Sequence, residues 1–415
     1  MPAVLEKPSL ESMPHRLRTF VAASLTLIVC FIASAAPIPL MSLYKAELAL
    51  STADVANSVV AYFAGCVATL LFFSRLSNYF GRKIVVLITL ALAMAACAAY
   101  ITMQTVFALN TARFLQGLSC GLASSAAMAW VVDSAPLKQR WLGTAMTAAG
   151  PNIGLTLGSF VTGWVVQAGW LTPEALFAVF IGLLACVAIL VIFSTDTVQF
   201  GMETLISVFI PKVSLPKRLR RLFIVTAAAY IGTWGLSSFI QGFIAILARD
   251  TFGTESPFLA SVCYVAMMAP NVAAGVFAGR FVATGALRVA VTAFVAGGAC
   301  LFWAYETHHE LLFLLAMALC GIGIGSCCTT GLKLLMIDTT LKERAGVIAA
   351  VYLLAYVGAG IPNFVVGSLA TDTPIVAIVP GYIAWMLLAW LLIWTELWLI
   401  GRHPSQTEKI RFEKA

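Results

Sequence analysis

Apolar runs about as long as a bilayer is thick dominate this chain, and few folds can accommodate them. A helix that crosses a hydrocarbon core needs roughly 20 apolar residues. Twelve such runs are read at 20–43, 55–74, 84–103, 107–131, 141–167, 173–194, 221–247, 257–279, 287–305, 311–336, 345–370 and 375–399. Inside lipid each backbone N–H and C=O must find its partner within the segment, so runs of this length are expected as helices. The 415-residue chain is 61% hydrophobic and 10% charged, too few charges to cover a soluble fold of this size. The expectation is an all-α membrane protein with twelve transmembrane helices.

Basic residues set the orientation. With the N-terminus in the cytoplasm, 21 of the 25 lysines and arginines fall in cytoplasmic loops and tails. Lys45 and Arg249 fall in external loops, and Arg113 and Lys333 lie within spans. Cations concentrate on the cytoplasmic side of membrane proteins, so the net charge of +7 reads as topology and not as a nucleic-acid footprint. Both termini are expected in the cytoplasm, with the spans in an inner membrane of bacterial type. The first run is too long for the apolar core of a signal peptide, and cleaving it would leave an odd number of spans.

Signals for soluble chemistry are weak. All ten cysteines lie in apolar runs, as small buried hydrophobes do. Cys320, Cys327 and Cys328 have no histidine or carboxylate beside them, so no metal site is expected. "GLSCG" at 117–121 matches the spacing of a nucleophile elbow but falls inside a span, and no span holds a histidine to activate it. "GIGIGS" at 321–326 lacks the lysine of a phosphate loop. No enzyme activity, cofactor or nucleotide-driven step is expected.

The chain repeats itself. A shift of 205 lays Arg75 on Arg280, Lys83 on Arg288 and Asp133 on Asp338. A shift of 204 lays Lys138 on Lys342, Arg140 on Arg344, Gly154 on Gly358 and Gly163 on Gly367. The expected organisation is a six-helix bundle over 1–194, a basic cytoplasmic linker over 195–220, a second bundle over 221–400 and a tail over 401–415. Parallel repeats of six helices mark a transporter architecture in which the substrate site lies between the halves near the midplane.

Three motifs carry a family resemblance. "SRLSNYFGRK", Ser74–Lys83, follows the second span, "RFLQG" begins at Arg113, and "GPNIG" begins at Gly150. Together they resemble the major facilitator superfamily, and the third resembles its export branch of twelve-span proton antiporters. The resemblance implies alternating access and a proton as coupling ion. It places Asn78, Gly81, Arg82 and Lys83 in a gating loop, and the repeated pairs Asp133 with Asp338 and Arg140 with Arg344 are expected gating residues beside them. The family pattern carries an aspartate where this chain has Asn78, and that acid helps to latch the halves together on the cytoplasmic side. Asn78 carries no charge, so a weaker latch and a more populated inward-open state are expected.

Candidate binding residues follow from helical spacing. Arg113 lies about two turns inside a span, where a charge costs about 2.5–3.5 kcal/mol on insertion scales and is expected to face a polar cavity. Gln116 shares its face. Substrate binding, proton coupling and a purely structural role are all open to Arg113. Tyr230, Trp234, Ser237 and Gln241 form one stripe, and Tyr264 and Asn271 a second. Tyr352, Tyr356 and Asn363 form a third, and Asn152 and Thr156 a fourth. Lys333 either faces a cavity or snorkels to the interface. Gly150, Gly154 and Gly158 present a small-residue face beside Pro151, suited to close helix approach and to a pivot at the seam between halves.

No acid lies deep in a span, so a neutral or anionic small organic substrate is expected, a drug or metabolite exported by a monomer. Uptake, uncoupled facilitation and a non-transporting receptor remain alternatives.

Overall fold

The computed structural model describes residues 13–198, 215–340, 343–369 and 374–401. Lys342, most of the linker, the ends of the N-terminal and C-terminal tails and a short stretch before the last helix lie outside the described residues. Twelve long helices form the body, and no strand occurs among the described residues. α1 is Met13–Ala35, α2 is Thr52–Ala68 with a π turn over Thr69–Phe73, and α3 is Arg82–Ile101. α4 runs Val106–Leu122, passes through a π turn at Ala123–Ala127 and ends with Met128–Ser134. α5 is Trp141–Gln167 and α6 is Pro173–Ile192. The second half holds α7 Arg220–Phe252, α8 Pro257–Ala278, α9 Ala283–Glu306, α10 Glu310–Met336, α11 Arg344–Leu369 and α12 Ile375–Gly401.

Eleven of these are apolar and long enough to cross a membrane. The exception is α5, whose 27 residues would span about 40 Å but include five glycines and four threonines. The outward faces of the body carry apolar side chains such as Leu311, Leu315, Val289 and Leu388, as lipid contact requires.

One boundary differs from the sequence expectation. The apolar run at 20–43 reads as one span, whereas α1 ends at Ala35 and a separate short helix occupies Met41–Glu47. Pro37 and Pro39 remove two backbone donors and disfavour helix before them, which breaks the run.

Helix packing repeats along the chain. α1 packs on α5 and α6, α2 on α4, and α3 on α4 and α6. In the second half α7 packs on α11 and α12, α8 on α10, and α9 on α10 and α12. Two seams join the halves, α5 against α8 and α2 against α11. Seam helices α5, α8 and α11 contain Pro151, Pro270 and Pro362, and α2 contains the π turn. Each irregularity releases a backbone hydrogen bond and lets the helix bend around whatever lies between the halves.

Candidate functional site

A cavity of about 590 Å³ opens between the halves. Its wall draws on α1, α2, α4 and α5 from the first half and α7, α8, α10 and α11 from the second. Four separate sequence stripes meet there. α7 contributes Tyr230, Trp234 and Gln241, α8 Tyr264 and Asn271, α11 Tyr352 and Tyr356, and α5 Asn152 with Pro151.

Aromatic rings form a continuous run across the cavity. Tyr230 and Trp234 each meet Tyr352 edge-on, with centroids 5.9 and 6.0 Å apart. Trp234 meets Tyr356 edge-on at 5.1 Å, and Tyr356 reaches Phe63 of the other half at 6.1 Å. Edge-on pairs leave ring faces and polar tips for a guest molecule. The amides of Asn152, Asn271 and Gln241 add hydrogen-bonding groups that carry no charge. Lys333 is the one charged side chain on the wall among the described residues. Its Nζ donates to the carbonyls of Gly279 and Phe281, each at 3.3 Å, just past the end of α8.

Three expected binding residues lie off this wall. Thr156 donates its hydroxyl to Asn152 O at 2.7 Å within its own helix. Arg113 is 1% exposed, inside the first half. Its companion Gln116 donates to Ala33 O of α1 at 2.9 Å and accepts from the Tyr100 hydroxyl at 3.3 Å. α4 turns this face toward α1 and α3, and the periodicity of a single helix does not say which neighbour a face meets. Asn363 also departs from its stripe: it is fully buried and donates to Ser238 Oγ at 2.9 Å, tying α11 to α7.

The glycine stripe differs from expectation in its partner. A β-carbon on Gly154 would fall 2.5 Å from Ile28 O, and one on Gly158 would fall 2.3 Å from Ile32 O. Gly150 likewise faces Leu27. The stripe therefore seats α1 within the first half, and Gly163, further along the helix, approaches Pro257 and Ser261 across the seam.

Sequence spacing misses Ser124, Thr147, Met268, Cys328 and Thr329 on the wall. Ser124 lies in the π turn of α4, which shifts the helical phase, so a 3.6-residue period misplaces it.

The gating loops gather at the end of the body that carries the basic loops. Arg82 Nε donates to Asp133 Oδ2 at 3.2 Å, and Arg82 Nη1 to Asn78 Oδ1 at 2.9 Å. Asp196, beyond the end of α6, accepts from the backbone N–H of Arg82 at 3.0 Å and of Lys83 at 3.1 Å, capping α3. The Lys83 ammonium donates to Ile192 O. Arg16 donates to Asp133 O at 2.9 Å, and Arg218 to Asp338 O at 3.3 Å, so the repeat extends to these cross-braces. Arg140 is exposed in the turn before α5, and Arg344 begins α11.

A twelve-helix body that encloses a drug-sized, uncharged-to-cationic cavity between two repeated halves defines a polytopic membrane transporter. A family model described as Major Facilitator Superfamily matches residues 23–362, and the chain belongs to that superfamily. It is a secondary transporter of a small molecule and not an enzyme.

No curated protein matches the chain significantly. Solved structures share the fold. A point mutant of the nucleoside transporter NupG has a TM-score of 0.71 at 10% identity, over 91% of this chain and 99% of that one. A bacterial homologue of the human lysosomal transporter Spinster, in an inward-facing and unoccupied conformation, gives 0.66 at 13% identity over 96% and 98%. The human organic anion transporter MFSD10 (TETRAN) gives 0.59 at 15% identity over 91% and 99%.

Proposed function

We propose that this transporter exports a small organic compound, neutral or anionic, from the cytoplasm across the inner membrane by proton antiport and alternating access. The observation that carries the substrate class is the cavity wall: aromatic rings and neutral amides, with Lys333 as its one charge among the described residues. A lipophilic cation would meet no counter-charge there, whereas rings and amides suit a planar body with hydrogen-bonding edges. Proton antiport and export rest on the likeness of "GPNIG" to the export branch.

The basic loops put both termini and the linker between the two six-helix bundles in the cytoplasm. In that orientation the cavity faces the cytoplasm, because Thr147, Val276, Lys333 and Met336 on its wall lie toward the cytoplasmic ends of their helices. The protein works as a monomer, since one chain encloses the whole cavity.

An uncoupled facilitator is the second reading. It is favoured by the lack of any carboxylate on the wall among the described residues to carry a proton.

The test begins with a deletion strain screened against toxic metabolites and antibiotics. Flux of the compound found is then measured in vesicles with and without a pH gradient. Export that collapses with the gradient, and is lost in Trp234→Ala, supports the proposal. Equal flux without the gradient supports the facilitator, and strong export of ethidium overturns the substrate class.

A further inference from the structure

Arg113 has a partly unpaired guanidinium in a place where charge is expensive. It is 1% exposed, and Gln116, one turn on, is 2% exposed. Its Nη1 donates to Gln116 Oε1 at 3.4 Å, whereas Nε and Nη2 have no acceptor among the protein's described atoms. These last two form one edge of the guanidinium plane, the pair of parallel donors that grips an anion side-on.

No carboxylate forms an ion pair with Arg113 among the described residues, whose ion pairs all lie elsewhere. A buried charge without compensation costs several kcal/mol. Asn110 lies one turn earlier on the same face, and helical side chains lean toward the N-terminus, so the guanidinium extends back over its turn. The Asn110 Oδ1 is buried and also lacks a partner. The Tyr100 hydroxyl donates at 3.3 Å to the same Gln116 Oε1, and its ring stacks on that of Tyr44 6.2 Å away, both buried inside the first half.

We propose that the free edge of Arg113 binds a small monovalent anion, a halide or formate, at a site separate from the transport cavity. Separation follows because Arg113 does not line the cavity. The tight burial limits the guest to a single ion or a one-carbon oxyanion. The anion compensates the guanidinium and holds α4 against α1 and α3. The site stands whether the substrate is exported or imported.

The test uses the purified full chain in detergent, with gluconate replaced stepwise by chloride, formate or benzoate at constant ionic strength. The readout is the unfolding midpoint, which a ligand of the folded state raises with the logarithm of its concentration once that exceeds the dissociation constant. Chloride and formate raise it logarithmically above a threshold concentration in the wild type and in Lys138→Gln, which removes an exposed charge. The rise is lost in Arg113→Gln. In Arg113→Lys, which keeps the charge without the fork, the concentration at which the rise sets in moves up by about tenfold. Should Arg113→Gln not fold, the Lys variant carries the test. An absent rise, an equal rise in the Arg113 variants, or benzoate acting as strongly as chloride overturns the proposal.

Discussion

Gly81 is held at φ +88°, in a region that only glycine enters without strain. A methyl group there would also fall 2.3 Å from Asp196 Oδ2, so the residue meets two demands at once. The sequence motif leads one to look for an acid at position 78. In the structure the loop's acids come from other parts of the chain, Asp133 and Asp196, and Asn78 serves as a neutral acceptor for Arg82. Asn78→Asp should turn the existing bond from Arg82 into an ion pair and favour closure on the cytoplasmic side. Slower maleimide labelling of a cysteine placed at Met336, on the cavity wall, is the expected outcome. Unchanged labelling would count against the latch.

The Glu343 carboxyl is drawn down from 4.5 to about 2 because the Arg218 side chain, then the Thr340 hydroxyl and N–H, donate to its charged form. A lowered folded value means that the pair stabilises the fold fully above pH 4.5 and loses this effect as pH falls through about 2. Glu343→Gln should therefore lower the unfolding midpoint by a small, constant amount at neutral pH. Wild-type and variant curves should converge below pH 4.5, as melting curves across pH will show. The effect is modest because the side chains are 49% and 25% exposed.

At the scale of helices, α5 has two small-residue faces with different duties. Gly154 and Gly158 seat α1, a contact within one half that need not break during transport. Gly163 instead faces a seam, where an added β-carbon would fall 2.5 Å from Pro257 O of the other half. Gly158→Ala should cost about 1–3 kcal/mol of stability through overpacking, read as a lowered melting temperature with the conformational equilibrium unchanged. Gly163→Ala should wedge the seam open on its external side. Its signature is faster labelling of external cysteine probes at nearly normal stability; the reverse pattern for the two variants would refute the division of roles.

The whole molecule is joined at the ends remote from the basic loops. Ser256 Oγ lies 2.9 Å from Gln167 Oε1, Phe160 packs on Phe258 at 5.8 Å, and Gly367 closes on Asn57. Alternating access requires these contacts to part. Cross-linking Gln167→Cys to Ser256→Cys should stop transport and reductant should restore it, while each single variant transports normally. Transport that persists in the cross-linked protein would mean that this seam does not open.

Fold and site differ in how far they are legible in sequence. Twelve long helices and their repeat are legible, because lipid requires long apolar helices and the basic loops punctuate them at regular intervals. The stripes on α5, α7, α8 and α11 are legible as faces, because a helix displays its period locally. Which face meets which neighbour is set by rotation and packing of entire helices, and that information is not local. Hence Tyr230, Trp234 and Asn271 reach one cavity, while Arg113, equally conspicuous in sequence, faces inward within its own half. Asp196, 114 residues from the N–H of Arg82 that it caps, has no signal at all in sequence. The sequence by itself determined which segments must cross the membrane. Only the tertiary structure decided which polar groups share a space, because that depends on contacts between helices far apart in the chain.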